Sequence, residues 1–210
     1  MLSLKKINSN IIKTSSTKNL AGIQTLYKSI RSKIEFNDKE FESISGYFKS
    51  TQVSKKEILV VEEKSNDKLY FIEKGLLFSY KNLDNGSVQV IQFAKEDYWI
   101  SDLYSFFSGT KSLFSIQALE DSILWALNKN DFEQLCSLFP KMETLFRLNF
   151  QNAYVNTLLR LSDVYSEDAE AKYNKIWEQQ PDLLQRVPQY LIASYLGILP
   201  SSLSRIRNKR

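Results

Sequence analysis

Residues 190–210 read YLIASYLGILPSSLSRIRNKR: two short apolar stretches parted by one glycine, then a run of cations. The residue before this stretch, Gln189, follows Pro188, and proline suits the first turn of a helix. The spacing predicts a helix of about two turns ending at Leu196, with Gly197 supplying a left-handed stop. Pro200 opens a second helix, because the residue before a proline is pushed out of helical conformation. Leu203 and Ile206 turn inward at helical spacing. Ser201, Ser202, Ser204, Arg205, Asn208 and Lys209 are left outward, with Gln189 at the start of the preceding helix. Two short helices around a tight glycine turn are a helix-turn-helix. Hydroxyls and N–H groups at a helix start suit phosphates, and an arginine one turn in suits the O6/N7 edge of guanine. Those seven residues are therefore the candidate DNA contacts.

Upstream, residues 142–164 predict one long helix. Leu145, Leu148, Asn152, Val155, Leu159 and Ser162 recur at alternating three- and four-residue steps, the a and d positions of a heptad. Phe146, Phe150, Ala153 and Leu161 form a second apolar set. A helix apolar on two sides buries both, so one set is expected on its own domain and the other against a second copy. Leu145, Leu148, Asn152, Val155 and Leu159 are the candidate dimer seam, with Asn152 fixing register. Between these helices Ser166-Glu167-Asp168 predicts a further helix start, and Pro181 its end.

Before residue 130 the period is different. EILVVEE, KLYFIEKG, LLFSYKNL, SVQVIQFA, FSIQALE and SILWALN are short runs rich in β-branched and aromatic residues. Asn85-Gly86 between two of them is a strong hairpin signal. Many short strands at this spacing predict a roll or barrel. Ahead of it, residues 20–34 carry helical spacing, and Asn37 or Asp38 caps a second helix with Phe41, Ile44 and Phe48 on one face.

The totals bound function. The 210 residues hold one cysteine, Cys136, and no histidine. An internal disulfide, a four-cysteine metal site and imidazole ligation are therefore excluded. No nucleophile–base pair or glycine-rich phosphate loop stands out, so neither an enzyme nor a cofactor is expected. No signal peptide or transmembrane run is seen, and a cytoplasmic location with no membrane partner is the expectation. The net charge of +4 is unevenly spread: residues 1–33 carry +7, residues 186–210 carry +5, and the remainder carries −8. A polyanion is expected at the ends, not on the body.

KLYFIEKGLLFSYKNLDNGSVQVIQF, SFFSGTKSLFSIQALEDSILWALNKNDFEQL and RVPQYLIASYLGILPSSLSRIR together resemble the Crp/Fnr family of bacterial transcription regulators, the last segment resembling Bacteroidetes-type members. The resemblance spans residues 35–210. It implies an α+β fold in which the N-terminal basic segment and helix (1–34) are followed by a cyclic-nucleotide-binding-like β-roll (35–140), a dimerisation helix (141–165) and a helix-turn-helix domain (166–210), the first part being read from charge and spacing alone. It implies a homodimer on a two-fold operator, with double-stranded DNA, an unidentified small-molecule effector and RNA polymerase as partners. The phosphate-binding cassette of nucleotide-binding members departs from pattern here. Ser101-Asp102 replace Gly-Glu, and Ser112, followed by Leu113, stands in place of the arginine. Serine cannot supply the arginine's charged fork, so cyclic AMP is not expected to bind. Ser101, Asp102, Ser112 and Leu113 remain the candidate lining for some other ligand. A sensor module with a vestigial helix-turn-helix is the competing reading, and sequence-specific DNA binding separates the two.

Overall fold

The computed structural model describes residues 22–208. The start of the first predicted helix at Leu20, the basic stretch before it, and Lys209 lie outside the described residues.

Helix α1 (Gln24–Arg31) turns Leu26 and Ile30 inward, with Ile23 buried just before it. No side chain of its own caps it. Glu73, far along the chain, takes that role: its carboxylate accepts from the amides of Thr25 at 2.8 Å and Leu26 at 3.2 Å. A carboxylate suits the positive end of a helix dipole. Helix α2 (Asp38–Ser45) has a complete capping box, in which Asn37 and Glu40 exchange side-chain-to-backbone bonds.

The roll consists of two four-stranded antiparallel sheets. Its strands are β1 (Lys49–Val53), β2 (Ile58–Val60), β3 (Lys68–Lys74), β4 (Leu77–Asn82), β5 (Val88–Ala94), β6 (Trp99–Ile100), β7 (Ser115–Ala118) and β8 (Ser122–Asn128). One sheet has the order β1-β8-β3-β6 and the other β2-β7-β4-β5. Strand β1 (KSTQV) and the two-residue β6 carry no apolar alternation, so the sequence pattern passes over them. The Asn-Gly signal falls on the β4–β5 hairpin: Gly86 has φ 79° and the Asn85 side chain accepts from the amide of Ser87.

Strand periodicity of two sorts side chains into separate cores. From β3, Tyr70 and Ile72 point into the roll, joining Val53, Leu77, Ile100, Ile116 and Leu124. Leu69 and Phe71 point outward onto α1, α2 and the helices that follow the roll. The second sheet sends Phe78, Tyr80 and Val90 outward into a third core shared with the C-terminal helices. A strand buried on both faces reads as a continuous apolar run, as LYFI does.

Helix α3 (Leu103–Ser108) follows β6, and α4 (Lys129–Leu138) follows β8. The long helix α5 runs over Pro140–Ser166, with Pro140 in its first turn. Its 27 residues span about 40 Å. Helices α6 (Ala169–Gln179), α7 (Pro181–Arg186), α8 (Gln189–Leu196) and α9 (Pro200–Asn208) complete the chain. Asp168 caps α6 as its spacing suggests. Pro181 does more than end α6: it also opens α7, a helix too short for periodicity to reveal.

The long helix requires a correction. Leu145, predicted in the dimer seam, is 1% exposed and packs into the core with Met142 and Phe146. Heptad spacing cannot tell which turns lie on the helix's own roll. Leu148 is half-buried, whereas Asn152, Val155 and Leu159 are exposed. Phe146 and Phe150 pack towards the roll, but Ala153 and Leu161 of the same predicted set are exposed.

Candidate nucleic-acid interface and the roll segment

Helices α8 and α9 meet as predicted. Gly197 closes α8 in the left-handed conformation at φ 70°, and the amide of Ile198 returns to the Ala193 carbonyl at 3.0 Å. Leu191, Ile192, Ala193, Leu196, Leu203 and Ile206 are buried between the two helices and their neighbours Tyr173, Leu183 and Val187. With Leu203 and Ile206 inward, a rotation of about 100° per residue brings Ser201, Ser204, Arg205 and Asn208 onto one outer face. All four are exposed, as is Gln189 in the first turn of α8, while Ser202 is half-buried. Arg207 is exposed on the flank of α9, about 40° around the helix from the buried Leu203 and off the face of the candidate contacts.

Arg186, counted with the basic C-terminal group, is not free for a polyanion. Its guanidinium donates to Glu120 at 2.8 and 2.9 Å and to both carboxylate oxygens of Glu96 at 3.0 Å. Bonds to Glu120 and then Glu96 raise its affinity for its proton above the ordinary arginine value. Burial pushes the Glu96 carboxyl up, but Arg186 and the amide of Gly75 outweigh it and hold it below the usual range. Among the described residues of the C-terminal basic group, Arg205 and Arg207 are the cations left on the outward helix.

The roll segment predicted to line a ligand is closed on itself. Asp102 is fully buried and caps α3: one oxygen accepts from the amide of Ser105 at 3.0 Å, the other from that of Leu113 at 2.6 Å. Ser101 donates to the Lys68 carbonyl and accepts from the Asn66 amide group. These groups serve the chain's own backbone, a role that a cassette comparison alone does not reveal. Ser112 is 1% exposed, and its hydroxyl has no partner among the described residues. Leu113 is half-exposed. Lys111, next to Ser112, pairs with Glu63 at the surface. Inside the roll Tyr70 and partly buried Phe114 occupy the space between the sheets, and burial drives the Tyr70 phenol up to about 12.

Outside the roll, a groove of about 720 Å³ is lined by Phe107, Phe132, Cys136, Phe146, Phe150 and Tyr154. Burial, helped by Glu143, pushes the Cys136 thiol up to about 11. No group of three or more His, Cys, Asp or Glu side chains that could hold a metal occurs among the described residues. Nor is any described helix long and apolar enough to cross a membrane.

Residues 50–138 match the cyclic nucleotide-binding domain family. No curated protein sequence matches the chain. The fold is similar to that of FixK2 from Bradyrhizobium japonicum, with TM-score 0.66 and 16% identity over 77% of this chain and 83% of that one. It is also similar to the c-di-GMP responsive global regulator CLP of Xanthomonas campestris, with TM-score 0.67 and 12% identity over 82% and 91% of the two chains. The catabolite activator protein of Thermus thermophilus matches with TM-score 0.54 and 15% identity, covering 83% of each chain. The chain therefore has an α+β fold in which a roll of the cyclic-nucleotide-binding type is followed by a long helix and a C-terminal helical unit of helix-turn-helix architecture.

Proposed function

We propose that this protein is a DNA-binding transcription regulator of the Crp/Fnr type, reading a two-fold operator as a homodimer. The observation that carries this reading is the outer face of α9. Ser201, Ser204, Arg205 and Asn208 are exposed together on a helix whose other side is fully committed to packing. A hydroxyl-rich first turn followed by an arginine is the pattern that positions on phosphate and reads a guanine edge. Gln189 and Ser202 serve as phosphate contacts in this scheme, and Lys209 extends the cationic end. The likeness in fold to regulators over 77–83% of the chain supports the same reading.

The dimer forms through the second half of α5. Val155, Leu158 and Leu159 are each about half exposed there and lie within about 100° of one another around the helix, an apolar stripe on the half of α5 that mostly faces solvent. Leu148 borders this seam and Asn152 lies within it. The roll does not take cyclic AMP. Ser112 lacks the required charge, and the neighbouring Asp102 is spent on two backbone amides. Any effector is another small molecule, and RNA polymerase is the partner through which a bound dimer acts in the cytoplasm.

Selection of bound DNA from a random pool tests the proposal and yields the operator. Arg205→Ala is expected to cost about 1–3 kcal/mol on that operator and to relax preference at one base pair per half-site. An equal loss on operator, single-base variants and unrelated DNA makes Arg205 a phosphate contact instead. Failure to enrich any sequence refutes the reading as a whole.

A further inference from the structure

The C-terminal helices do not hang from α5 by a free joint. They are seated on the second sheet of the roll at three separate places. Edge strand β5 receives α8: the Ser194 hydroxyl accepts from the amide of Val90 at 2.9 Å and donates to the Val88 carbonyl at 2.6 Å, while Gln89 donates to the Ser194 carbonyl at 2.7 Å. Helix α5 leans in beside it: Arg160 donates to the Ile91 carbonyl and lies over the Tyr195 ring, 4.2 Å from its centre. The third place is α7, where Asp182 takes Lys95 at 2.9 Å and Arg186 joins Glu96 to Glu120. Lys95 and Glu96 belong to the β5–β6 loop and Glu120 to the β7–β8 loop, so one guanidinium ties two loops of the roll to the C-terminal unit. Beneath these bonds Phe78, Tyr80 and Val90 share a core with Leu191, Ile192 and Leu196.

We infer that Arg186 is a positioning residue: clasped by Glu96 and Glu120, it holds the C-terminal unit on the roll so that α9 is presented in one set orientation. This rests on the DNA-binding reading. The seat leaves the outer face of α9 uncovered, with Ser201, Ser204, Arg205 and Asn208 exposed while the clasp is made. It therefore presents the reading face and does not mask it. A dimer engaging two half-sites gains from such fixation, because the second contact is made at high effective concentration only when its geometry is pre-set. Arginine suits the task, since its planar fork meets two carboxylates at once.

The amide of Val90 gives a readout independent of DNA, because its acceptor is Ser194 across the seat. Site-resolved hydrogen exchange at Val90 is measured in the full chain for wild type, Arg186→Ala, Arg186→Lys and Glu96→Gln/Glu120→Gln. Affinity is measured for a two-fold operator and for a single half-site. In Arg186→Ala, Val90 exchange is expected to accelerate and operator affinity to fall about tenfold, with half-site affinity unchanged. The Glu96→Gln/Glu120→Gln variant should match it, and Arg186→Lys should lie between. Equal losses on operator and half-site mean that the variant has damaged α8 and α9 themselves, which overturns the positioning role. Unchanged Val90 exchange overturns the clasp. Faster exchange with operator affinity unchanged or raised overturns presentation. A wild type that binds no DNA refutes the functional reading, while Val90 exchange still decides whether Arg186 holds the seat.

Discussion

Replacing Val155 and Leu159 by lysine is expected to dissociate the proposed dimer without unfolding the protomer. The two side chains stand one turn apart on α5, 52% and 60% exposed, so neither supports the fold of its own chain. Burying the exposed part of each against a partner is worth about 1–1.5 kcal/mol, taking about 2–3 kcal/mol for a fully buried aliphatic side chain. Two protomers contribute four such groups, or about 4–6 kcal/mol, which raises the dissociation constant about 10³–10⁴-fold. Opposed lysines add repulsion and steepen the salt dependence. Sedimentation velocity over a dilution series measures the shift, with circular dichroism to verify helix content. A parallel Leu145→Lys variant is the contrast: Leu145 is buried in its own core, so its loss should appear as unfolding and not as clean dissociation. A Val155→Lys/Leu159→Lys protein that remains dimeric at the wild-type concentration, with its fold intact, refutes the argument and moves the seam elsewhere.

Titration calorimetry with cyclic AMP should give no binding heat up to about 1 mM ligand, and a micromolar dissociation constant would mean that another residue supplies the charge Ser112 lacks. Gly75→Ala should destabilise the roll by about 3–5 kcal/mol in urea unfolding, from combined backbone strain and overpacking. Gly75 sits at φ 111°, and an added Cβ would lie 2.1 Å from the Ser122 hydroxyl; a loss under about 1 kcal/mol contradicts this. Cys136 should resist iodoacetamide at neutral pH and react only as the pH nears its raised value of about 11, followed by mass spectrometry. Rapid labelling of the folded protein at pH 7 would show that the thiol is not held in its partly buried setting.

What local chemistry dictates could be read from the chain alone. Pro188, Gly197 and Pro200 bound two helices whatever surrounds them, because ring closure and a missing Cβ act on the backbone directly. Asp168 and Asn85-Gly86 likewise act within a few residues, and of the two caps open to the second helix, Asn37 and Asp38, it is Asn37 that serves, with Glu40 completing the box. Apolar periodicity announced six of the eight strands and the long helix, yet could not say what would cover them. Tertiary structure decided that Leu145 belongs to the roll and Val155 to the surface, two residues that share one heptad stripe. It also decided how charges are used. Asp102, a candidate ligand group by comparison, is consumed by two backbone amides, and Glu73 caps a helix about fifty residues away. Arg186 belongs by sequence to the cationic end, but three segments of the chain bring Glu96 and Glu120 around it. An ion pair depends on which groups the fold places within reach, and nothing in the spacing of Arg186, Glu96 and Glu120 along the chain encodes that meeting.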